Sequence, residues 1–514
     1  MFCKAYSAAI HGIKATVIHV ETDISDGLPI YDMVGYLSSE VREAKERVRL
    51  AMKNSNFRLT TKRVTVNLAP ANLRKEGTAF DLAIAISILS SYGFLPDSEL
   101  EDTLIVGELG LDGRVCVVNG ILPIVLAAKE AGFRRCIVPK ENELEGAVVQ
   151  EVEIYGVQTL KETVDFLNGA ISLEAAYVNV EELFSQRNDQ EGLDFADLAG
   201  QHMMKRALEI AVSGMHNLLM VGPPGSGKTM LAKRVPSIMP DLSLEESMEI
   251  TRIYSVGGNL PSKSPLIVVR PFRSPHHTIT MAALTGGGRN PKPGEVSLAN
   301  GGVLFLDELP EFSKQVLEVL REPLEDHTVT VSRVNASYRY PASCMLIGAM
   351  NPCSCGFFPD REKCRCSVSD VQNYLGRISQ PLLDRIDMTV EAVRIEYKDL
   401  EGPKEEESSK SIRERVYRAQ EIQRDRYQEE GFQFNAFLPA NKMQEYCALG
   451  KEEKRLMKSA YSMMNLSARA YHKILKVART IADLDESECI QTKHLSEAFF
   501  YRSLEKKYWG GLHE

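Results

Sequence analysis

A glycine-rich segment in the middle of the chain combines residue types that together bind phosphate groups. Its members are Gly222, Pro223, Pro224, Gly225, Ser226, Gly227, Lys228 and Thr229. The segment follows the apolar run Asn217–Val221 and precedes a predicted helix from Met230, which is the order of strand, loop and helix that such a motif requires. The loop N–H groups and the helix dipole favour phosphate, so we expect Lys228 to reach the β- and γ-phosphates of ATP and Thr229 to bind Mg²⁺.

Two acidic residues follow a second apolar run. Val303–Leu306 predicts a buried strand, and Asp307 and Glu308 stand directly after it. An acid in this position can hold Mg²⁺ while its neighbour polarises the attacking water, so we assign Asp307 to the metal and Glu308 to the water. A third predicted strand, Cys344–Met350, is followed by Asn351, which either orients the water or is an ordinary turn-forming residue. Together these residues predict a site of ATP hydrolysis.

Four cysteines lie close together after Asn351. They form two Cys-x-Cys pairs: Cys353, Cys355, Cys364 and Cys366. Four thiols this close suit tetrahedral Zn²⁺, although the spacing is not that of a standard zinc finger. We favour a structural Zn²⁺ site, with an Fe–S cluster or a site without metal as the alternatives.

The composition predicts a soluble protein of several domains. The chain has 514 residues, of which 44% are hydrophobic and 25% charged. It lacks an apolar run long enough for a membrane span and a recognisable secretion signal, and its other cysteines are scattered, so we predict a cytoplasmic protein. The net charge of −9 argues against nucleic-acid binding over the whole surface, but residues 251–300 are locally basic.

Changes in pattern divide the chain into three predicted domains. Short β-branched runs alternate with amphipathic helices in the first, a second α/β unit carries the phosphate-binding loop, and the last part is helical throughout. Polar and charged stretches predict the linkers between them. The predicted boundaries are 1–168, a linker 169–194, 195–395, a linker 396–411, and 412–514.

The nucleotide-site residues resemble those of AAA+ ATPases, with Asn351 at the sensor-1 position. This resemblance implies an α/β P-loop ATPase core and an all-α C-terminal lid. It also implies that Arg385 is an arginine finger offered to the neighbouring subunit, and that Arg469 is the sensor-2 residue on the lid. An arginine near the γ-phosphate stabilises the charge that develops during transfer. For each arginine, a surface ion pair is the alternative.

Three further segments narrow the resemblance: Arg270–Thr278, Gly301–Val303 and Leu383–Asp387. They are similar to segments of magnesium-chelatase-like ATPases, and over nearly the whole chain the best fit is the ComM/YifB family of bacterial proteins. The resemblance implies a ring-shaped helicase, expected to be a hexamer, that promotes branch migration of DNA in recombination or natural transformation. The alternatives are a protein-remodelling AAA+ ATPase, a metal-chelatase motor subunit and a nucleotide-gated assembly switch.

The N-terminal domain resembles the proteolytic domain of Lon-type proteases, which implies an α+β fold. Lon proteases use a Ser-Lys dyad, but Ala79 occupies the nucleophile's position here and Leu122 the lysine's. Neither side chain can act as a nucleophile or a base, and Thr78 is one position away. We therefore predict a domain without peptidase activity that serves assembly or binding.

Two segments are candidates for DNA contact. The first carries the basic residues Arg252, Lys263, Arg270, Arg273, Arg289 and Lys292. The second, Thr328–Tyr340, predicts a β-hairpin, and in related ATPases such hairpins face the central pore of the ring. Its basic and aromatic side chains suit phosphate contact and base stacking, with packing between subunits as the alternative. The adjacent His276 and His277 would point to opposite faces of a strand, so we predict a structural role for them.

Overall fold

The computed structural model describes residues 1–185, 192–261, 264–288, 291–333, 336–393 and 406–509. The strands are β1 Phe2–His11, β2 Lys14–Ser25, β3 Tyr31–Val34, β4 Arg63–Ala69, β5 Thr103–Ile105, β6 Glu108–Leu109, β7 Val115–Cys116, β8 Arg135–Pro139, β9 Glu153–Val157, β10 Leu218–Val221, β11 Phe272–Arg273, β12 Gly286–Gly287, β13 Lys292–Pro293, β14 Val303–Leu306, β15 Thr328–Arg333, β16 Ala336–Pro341, β17 Met345–Met350 and β18 Met388–Glu391. The α-helices are α1 Ser39–Asn54, α2 Asp81–Ser91, α3 Ile121–Glu130, α4 Glu143–Gly146, α5 Leu160–Leu167, α6 Val180–Ser185, α7 His202–Gly214, α8 Lys228–Ile238, α9 Leu244–Gly257, α10 Met281–Thr285, α11 Glu295–Leu298, α12 Lys314–Val319, α13 Arg321–Asp326, α14 Val368–Leu375, α15 Gln380–Leu383, α16 Ser409–Arg426, α17 Met443–Tyr446, α18 Lys451–Met464, α19 Ala468–Leu484 and α20 Thr492–Trp509.

The chain folds into two compact units. The first contains the described residues of 1–188, 244–268 and 334–339, and the second contains the other described residues. Within the predicted linker 169–194, the N–H group of Ala176 donates to Ile154 at 2.8 Å, and α6 adds one short helix. The domain boundaries drawn from the sequence stay a prediction.

A mixed seven-stranded sheet forms the centre of the first unit, in the order β3-β4-β2-β1-β5-β8-β9. Strands β1, β2 and β4 are antiparallel neighbours, whereas β5, β8 and β9 continue from β1 in parallel. Helix α1 follows its N-cap Ser38 and buries an apolar stripe from Val41 to Ala51, as its periodicity predicts. Every residue of α2 is buried, in agreement with its apolar sequence. The likeness of this unit to Lon stays a prediction.

A parallel five-stranded sheet forms the centre of the second unit, in the order β11-β14-β17-β10-β18. Strands β10, β14 and β17 are apolar and buried throughout, as expected for parallel strands covered on both faces. Helix α8 begins at Lys228 rather than Met230 as predicted, because Gly227 ends the loop in the left-handed conformation. Since the strands run parallel, the residues that follow them lie at one edge of the sheet.

Helices make up most of the second unit after residue 409. Helix α16 buries Ile412, Val416 and Ala419 at helical spacing, and α19 buries most of its second half. Both helices contribute to the same hydrophobic core as β10, β14 and β17. The predicted α/β core with a helical C-terminus is therefore confirmed. None of the described helices is both long and apolar enough to cross a membrane.

Candidate nucleotide and metal sites

The phosphate-binding loop Gly222–Thr229 connects β10 to α8. Gly222 packs against the chain after β18, where a Cβ atom would collide with the carbonyl oxygen of Ala392. Gly227 has φ of 84° and is the N-cap of α8. The first N–H groups of a helix have no partner within the helix, so α8 supplies the donors expected of a phosphate site.

Lys228 is 8% exposed, and its ammonium group lies within the loop. It donates to the carbonyl oxygens of Gly222 at 2.7 Å and Pro223 at 2.9 Å, and lies 3.4 Å from the side-chain oxygen of Asn351. Burial lowers the pKa of Lys228, and the carboxylate of Asp307 opposes that shift. The ammonium group of Lys228, at the start of α8, and the side-chain amide of Asn351, which follows β17, thus meet at the phosphate-binding loop.

Thr229 and Asp307 form a pair of oxygen ligands. The hydroxyl Oγ1 of Thr229 donates to Oδ2 of Asp307 at 2.6 Å, and the other carboxylate oxygen accepts the N–H group of Glu308 at 2.9 Å. Mg²⁺ prefers one or two protein oxygen ligands and completes its shell with water and phosphate. The donor set therefore fits Mg²⁺.

One cavity of about 580 Å³ brings the predicted residues together. Its lining includes five of the residues to which the sequence assigned nucleotide chemistry: Lys228, Thr229, Asp307, Glu308 and Asn351. The loop 197–201 also lines it, and the amide of Gln201 donates to the carbonyl oxygens of Ser226 at 3.1 Å and Val393 at 2.6 Å. This loop was not predicted, because contacts through backbone carbonyls require no fixed residue types.

His277 contacts the acid assigned to the water. Its Nδ1 atom lies 3.5 Å from Oε2 of Glu308, whereas His276 stacks on the His277 ring and approaches Thr278 Oγ1 at 3.0 Å. The sequence interpretation of both histidines as structural did not predict this contact. Strand β11 pairs with β14 over only two residues, too few for a periodic signal, yet that pairing brings the following segment beside Glu308.

Arg385 and Arg469 do not line this cavity; they share a carboxylate elsewhere. Arg385 is 12% exposed, donates to the Pro381 carbonyl oxygen at 2.7 Å and forms an ion pair with Glu325. Arg469 is 60% exposed and lies 3.8 Å from Glu325. Both line a second cavity of about 420 Å³.

The two cavities lie at opposite ends of β10. Asn217, just before the strand, donates to the carbonyl oxygen of Arg385 at 3.1 Å, whereas Gly222 follows the strand. Five residues of extended chain span roughly 16 Å, so Arg385 cannot reach the nucleotide cavity of its own chain.

The four clustered cysteines meet in space, and all four Sγ atoms lie within 4.8 Å of one another. Cys353 Sγ is 3.3 Å from Cys355 Sγ and 3.8 Å from Cys364 Sγ, and the latter two are 3.6 Å apart. Four sulfurs placed tetrahedrally at ~2.3 Å from Zn²⁺ are about 3.8 Å apart, so the donors fit zinc. Although burial acts against it, hydrogen bonds from Phe357 and Cys353 lower the pKa of Cys355 to about 6.

Comparison with known proteins decides the family. The chain is 42% identical over 500 residues to the competence protein ComM of Haemophilus influenzae, and the match covers 97% of each chain. It is 40% identical over 506 residues to the uncharacterized protein YifB of Escherichia coli, covering 98% of this chain and 97% of YifB. The chain belongs to the ComM/YifB family. The predicted resemblance is thereby confirmed.

Three family models match successive parts of this ComM/YifB chain. Residues 20–142 match subunit ChlI of Mg-chelatase, residues 194–400 match magnesium chelatase subunit ChlI, and residues 406–502 match its C-terminal model. A shorter match of 32% identity over 118 residues relates the chain to the DNA repair protein RadA of Listeria monocytogenes, covering 23% of this chain and 24% of RadA.

Several candidates for DNA contact are used within the fold of this ComM/YifB chain. Arg270 is 8% exposed and donates to the carbonyl oxygens of Pro240 and Gly301 at 2.6 and 2.8 Å. Arg273 holds Glu295 with two hydrogen bonds of 2.6 and 2.7 Å. Lys292 is exposed and Arg252 half-buried. Lys263 and Arg289 lie outside the described residues.

The predicted hairpin Thr328–Tyr340 is present as β15 and β16. Tyr340 is fully buried and its hydroxyl donates to Pro291 at 2.8 Å, which excludes base stacking by this ring in the described structure. Arg339 is exposed. Residues 334 and 335 and the side chain of Arg333 lie outside the described part.

The positions compared with the Lon dyad carry no nucleophile and base pair. Leu122 is fully buried, and its N–H group donates to Glu145 at 2.8 Å. Thr78 hydrogen-bonds Glu108 through its hydroxyl. Lys75 is fully buried, and its ammonium group donates to the Leu73 carbonyl oxygen at 2.8 Å, a structural role.

Proposed function

We propose that this chain is an ATP-driven DNA motor, a ring-shaped and hexameric helicase that promotes branch migration in recombination or natural transformation. The observation that carries the proposal is the convergence of Lys228, Thr229, Asp307, Glu308 and Asn351 on one cavity. This set supplies a phosphate cradle, metal ligands and an acid for water, which are the groups that ATP hydrolysis requires.

The roles follow from the contacts. Lys228 exchanges the loop carbonyl oxygens for the β- and γ-phosphates, while Thr229 and Asp307 would hold Mg²⁺. A Mg²⁺ ion held by these two side chains would supply positive charge that stabilises the charge developing on the phosphate. Glu308 polarises the attacking water and Asn351 orients it.

The placement of the arginines supports a ring. Arg385 and Arg469 line a cavity remote from the nucleotide loop of their own chain. In the proposed hexamer Arg385 serves the γ-phosphate bound by the neighbouring subunit and Arg469 is the sensor-2 residue of the lid, so hydrolysis requires assembly.

Two observations support DNA as the substrate of the proposed motor: the names of related proteins and the exposed residues of strand β15. The most similar relatives include a competence protein, and a shorter match is a DNA repair protein. Strand β15 buries Val329 and Val331 and exposes Thr330 and Ser332, so the polar side chains of this strand lie on its exposed face. The exposed hydroxyl of Thr330 can donate a hydrogen bond to phosphate, as such side chains do in DNA complexes.

For the four cysteines, Zn²⁺ is the proposed occupant. The sulfurs of Cys353, Cys355 and Cys364 are 3.3 to 3.8 Å apart, and with Cys366 all four lie within 4.8 Å of one another, which suits a thiolate site with a full set of protein ligands. Such a site has a structural role, since no position is left for a substrate.

The test is ATP turnover by the wild type and Glu308→Gln, with and without forked DNA. We expect forked DNA to stimulate ATP turnover by the wild type. We expect Glu308→Gln to lose this turnover. Glu311→Gln is the matched control, because Glu311 is a nearby half-exposed acid that pairs with Arg377 at 2.9 Å, outside the lining of the nucleotide cavity. If assembled rings hydrolyse ATP at the same rate with and without every DNA, the proposal of a DNA motor is contradicted. A protein would then be the substrate to test.

A further inference from the structure

The four-cysteine loop begins at the nucleotide site. Asn351 follows β17, and its side-chain oxygen lies 3.4 Å from the ammonium group of Lys228; only the buried Pro352 separates it from Cys353. A displacement of Cys353 therefore moves the side chain that faces Lys228.

A second contact joins the same loop to the phosphate-binding loop. Gly356, between the two cysteine pairs, packs so closely on Pro224 that an added Cβ atom would lie 2.5 Å from the Pro224 ring. Its φ of 84° also favours glycine. The backbone between Cys355 and Cys364 thus forms one wall against which the phosphate-binding loop rests.

The loop that carries the cysteines has no regular secondary structure. Residues 351–367 are all described, and they form turns rather than helix or strand. On its outer side, the Phe358 ring lies 6.4 Å from the ring of Tyr508 in α20. Four metal–sulfur bonds would connect its beginning to its end, because Cys353 and Cys364 are eleven positions apart in sequence.

We infer that Zn²⁺ held by Cys353, Cys355, Cys364 and Cys366 braces the phosphate-binding loop through Gly356 and Asn351, so that nucleotide affinity depends on the metal. This inference rests on the proposed nucleotide site and deepens it. Without the metal, the β-sheet core keeps its packing while Pro224 and Lys228 lose their support. The loss then appears in nucleotide binding before it appears in folding.

The experiment measures zinc content by mass spectrometry, binding of a fluorescent ATP analogue with excess Mg²⁺, and thermal unfolding, all on the full-length protein. We expect one zinc per chain in the wild type. In Cys353→Ser zinc is lost and the Kd for ATP rises about tenfold, which corresponds to roughly 1.4 kcal/mol. Cys489→Ser is the control, because Cys489 is exposed and outside the cluster.

Two further measurements keep the inference testable if a cysteine variant fails to fold. A zinc-selective chelator applied to the wild type should weaken ATP binding, and added zinc should restore it. Gly356→Ala should keep its zinc and still weaken ATP binding, because it crowds Pro224 and strains the backbone at Gly356 while all four thiols stay in place.

The outcomes separate the proposals. If the wild type contains iron and sulfide, or no metal, the assignment of zinc to the four cysteines is overturned. Zinc whose removal leaves the Kd for ATP unchanged overturns the brace but not the motor. A zinc-loaded wild type that does not bind ATP overturns the proposed nucleotide site itself.

Discussion

His277 Nδ1 lies 3.5 Å from Glu308 Oε2, which places an imidazole against the acid proposed to polarise the attacking water. The Glu308 side chain is 61% exposed, so this contact restrains a carboxylate that otherwise faces the open cavity. Exposed pairs contribute about 0.2–1 kcal/mol, so His277→Ala should lower kcat for ATP by up to about fivefold. Steady-state kinetics should show little change in KM, because His277 does not line the cavity.

His276→Ala is the matched control for this prediction. His276 stacks on His277 and approaches Thr278 rather than Glu308, so its removal should leave kcat close to the wild-type value. Equal losses in the two variants would mean that packing of the histidines matters and the contact with Glu308 does not.

The Thr229–Asp307 pair predicts which hydroxyl supports Mg²⁺. Thr229→Val keeps the shape of the side chain and removes the oxygen that lies 2.6 Å from Asp307. Turnover should fall at least about tenfold at limiting Mg²⁺, because the metal stabilises transition-state charge by several kcal/mol. Thr229→Ser keeps the hydroxyl and should retain most of the activity. Turnover of Thr229→Val that matches the wild type over a Mg²⁺ titration would remove Thr229 from the metal site.

Arg385 is predicted to act on the nucleotide of a neighbouring subunit. Arg385→Ala should lower turnover by about 10³, as the loss of an arginine finger does. Mixing this variant with Glu308→Gln should restore part of the activity, since an Arg385→Ala subunit keeps Glu308 and receives Arg385 from its neighbour. Turnover is measured across mixing ratios.

Arg377→Ala serves as the control for Arg385. Arg377 is a half-exposed arginine that pairs with Glu311 and lines neither cavity, so its loss should leave turnover near the wild-type value. Mixed rings that stay as inactive as their parents would contradict action between subunits.

Local sequence patterns predicted the parts of the site that need fixed residue types at fixed spacing. The phosphate loop, the pair Asp307 and Glu308, and the four cysteines belong to this class, and each lies on one short stretch of chain. The parallel sheet then brings these stretches to one edge, because residues that follow parallel strands lie at the same end of the sheet.

The residues that were not predicted depend on contacts between distant segments. His277 reaches Glu308 across a two-residue strand pairing, and Glu325 joins Arg385 to Arg469 from a short helix without a motif. The sequence could not decide between DNA contact and packing for Arg270 and Tyr340. A basic or aromatic side chain that binds DNA has the same sequence pattern as one that binds backbone carbonyl oxygens. Only the packing of the chain distinguishes the two.

A buried histidine should make the second unit sensitive to mild acid. His216 is fully buried, its Nε2 atom is 2.7 Å from Thr480 Oγ1, and burial lowers the pKa of His216 to about 4 from an ordinary 6.5. The carboxylate of Asp387 opposes that shift, whereas the ammonium groups of Lys476 and Lys473 add to it. As pH falls below 6.5 the unfolded chain takes up a proton while folded His216 stays neutral, so stability is lost between pH 6.5 and 4.

At a pH one unit below the ordinary pKa of histidine, His216 should lower the free energy of unfolding by about 1.4 kcal/mol. Well above that pKa, His216 should cause no loss of stability. Trp509, the single tryptophan, lies in the second unit and donates to Leu375 at 3.3 Å, so its fluorescence in urea follows the unfolding of that unit. Asp387 loses its own stability contribution only at more acidic pH: burial raises its pKa, but the ammonium group of Lys473 and the N–H group of Asn217 hold the pKa below its ordinary value. In His216→Gln the difference between mildly acidic and neutral midpoints should shrink; a difference equal to that of the wild type would show that other groups cause the acid sensitivity.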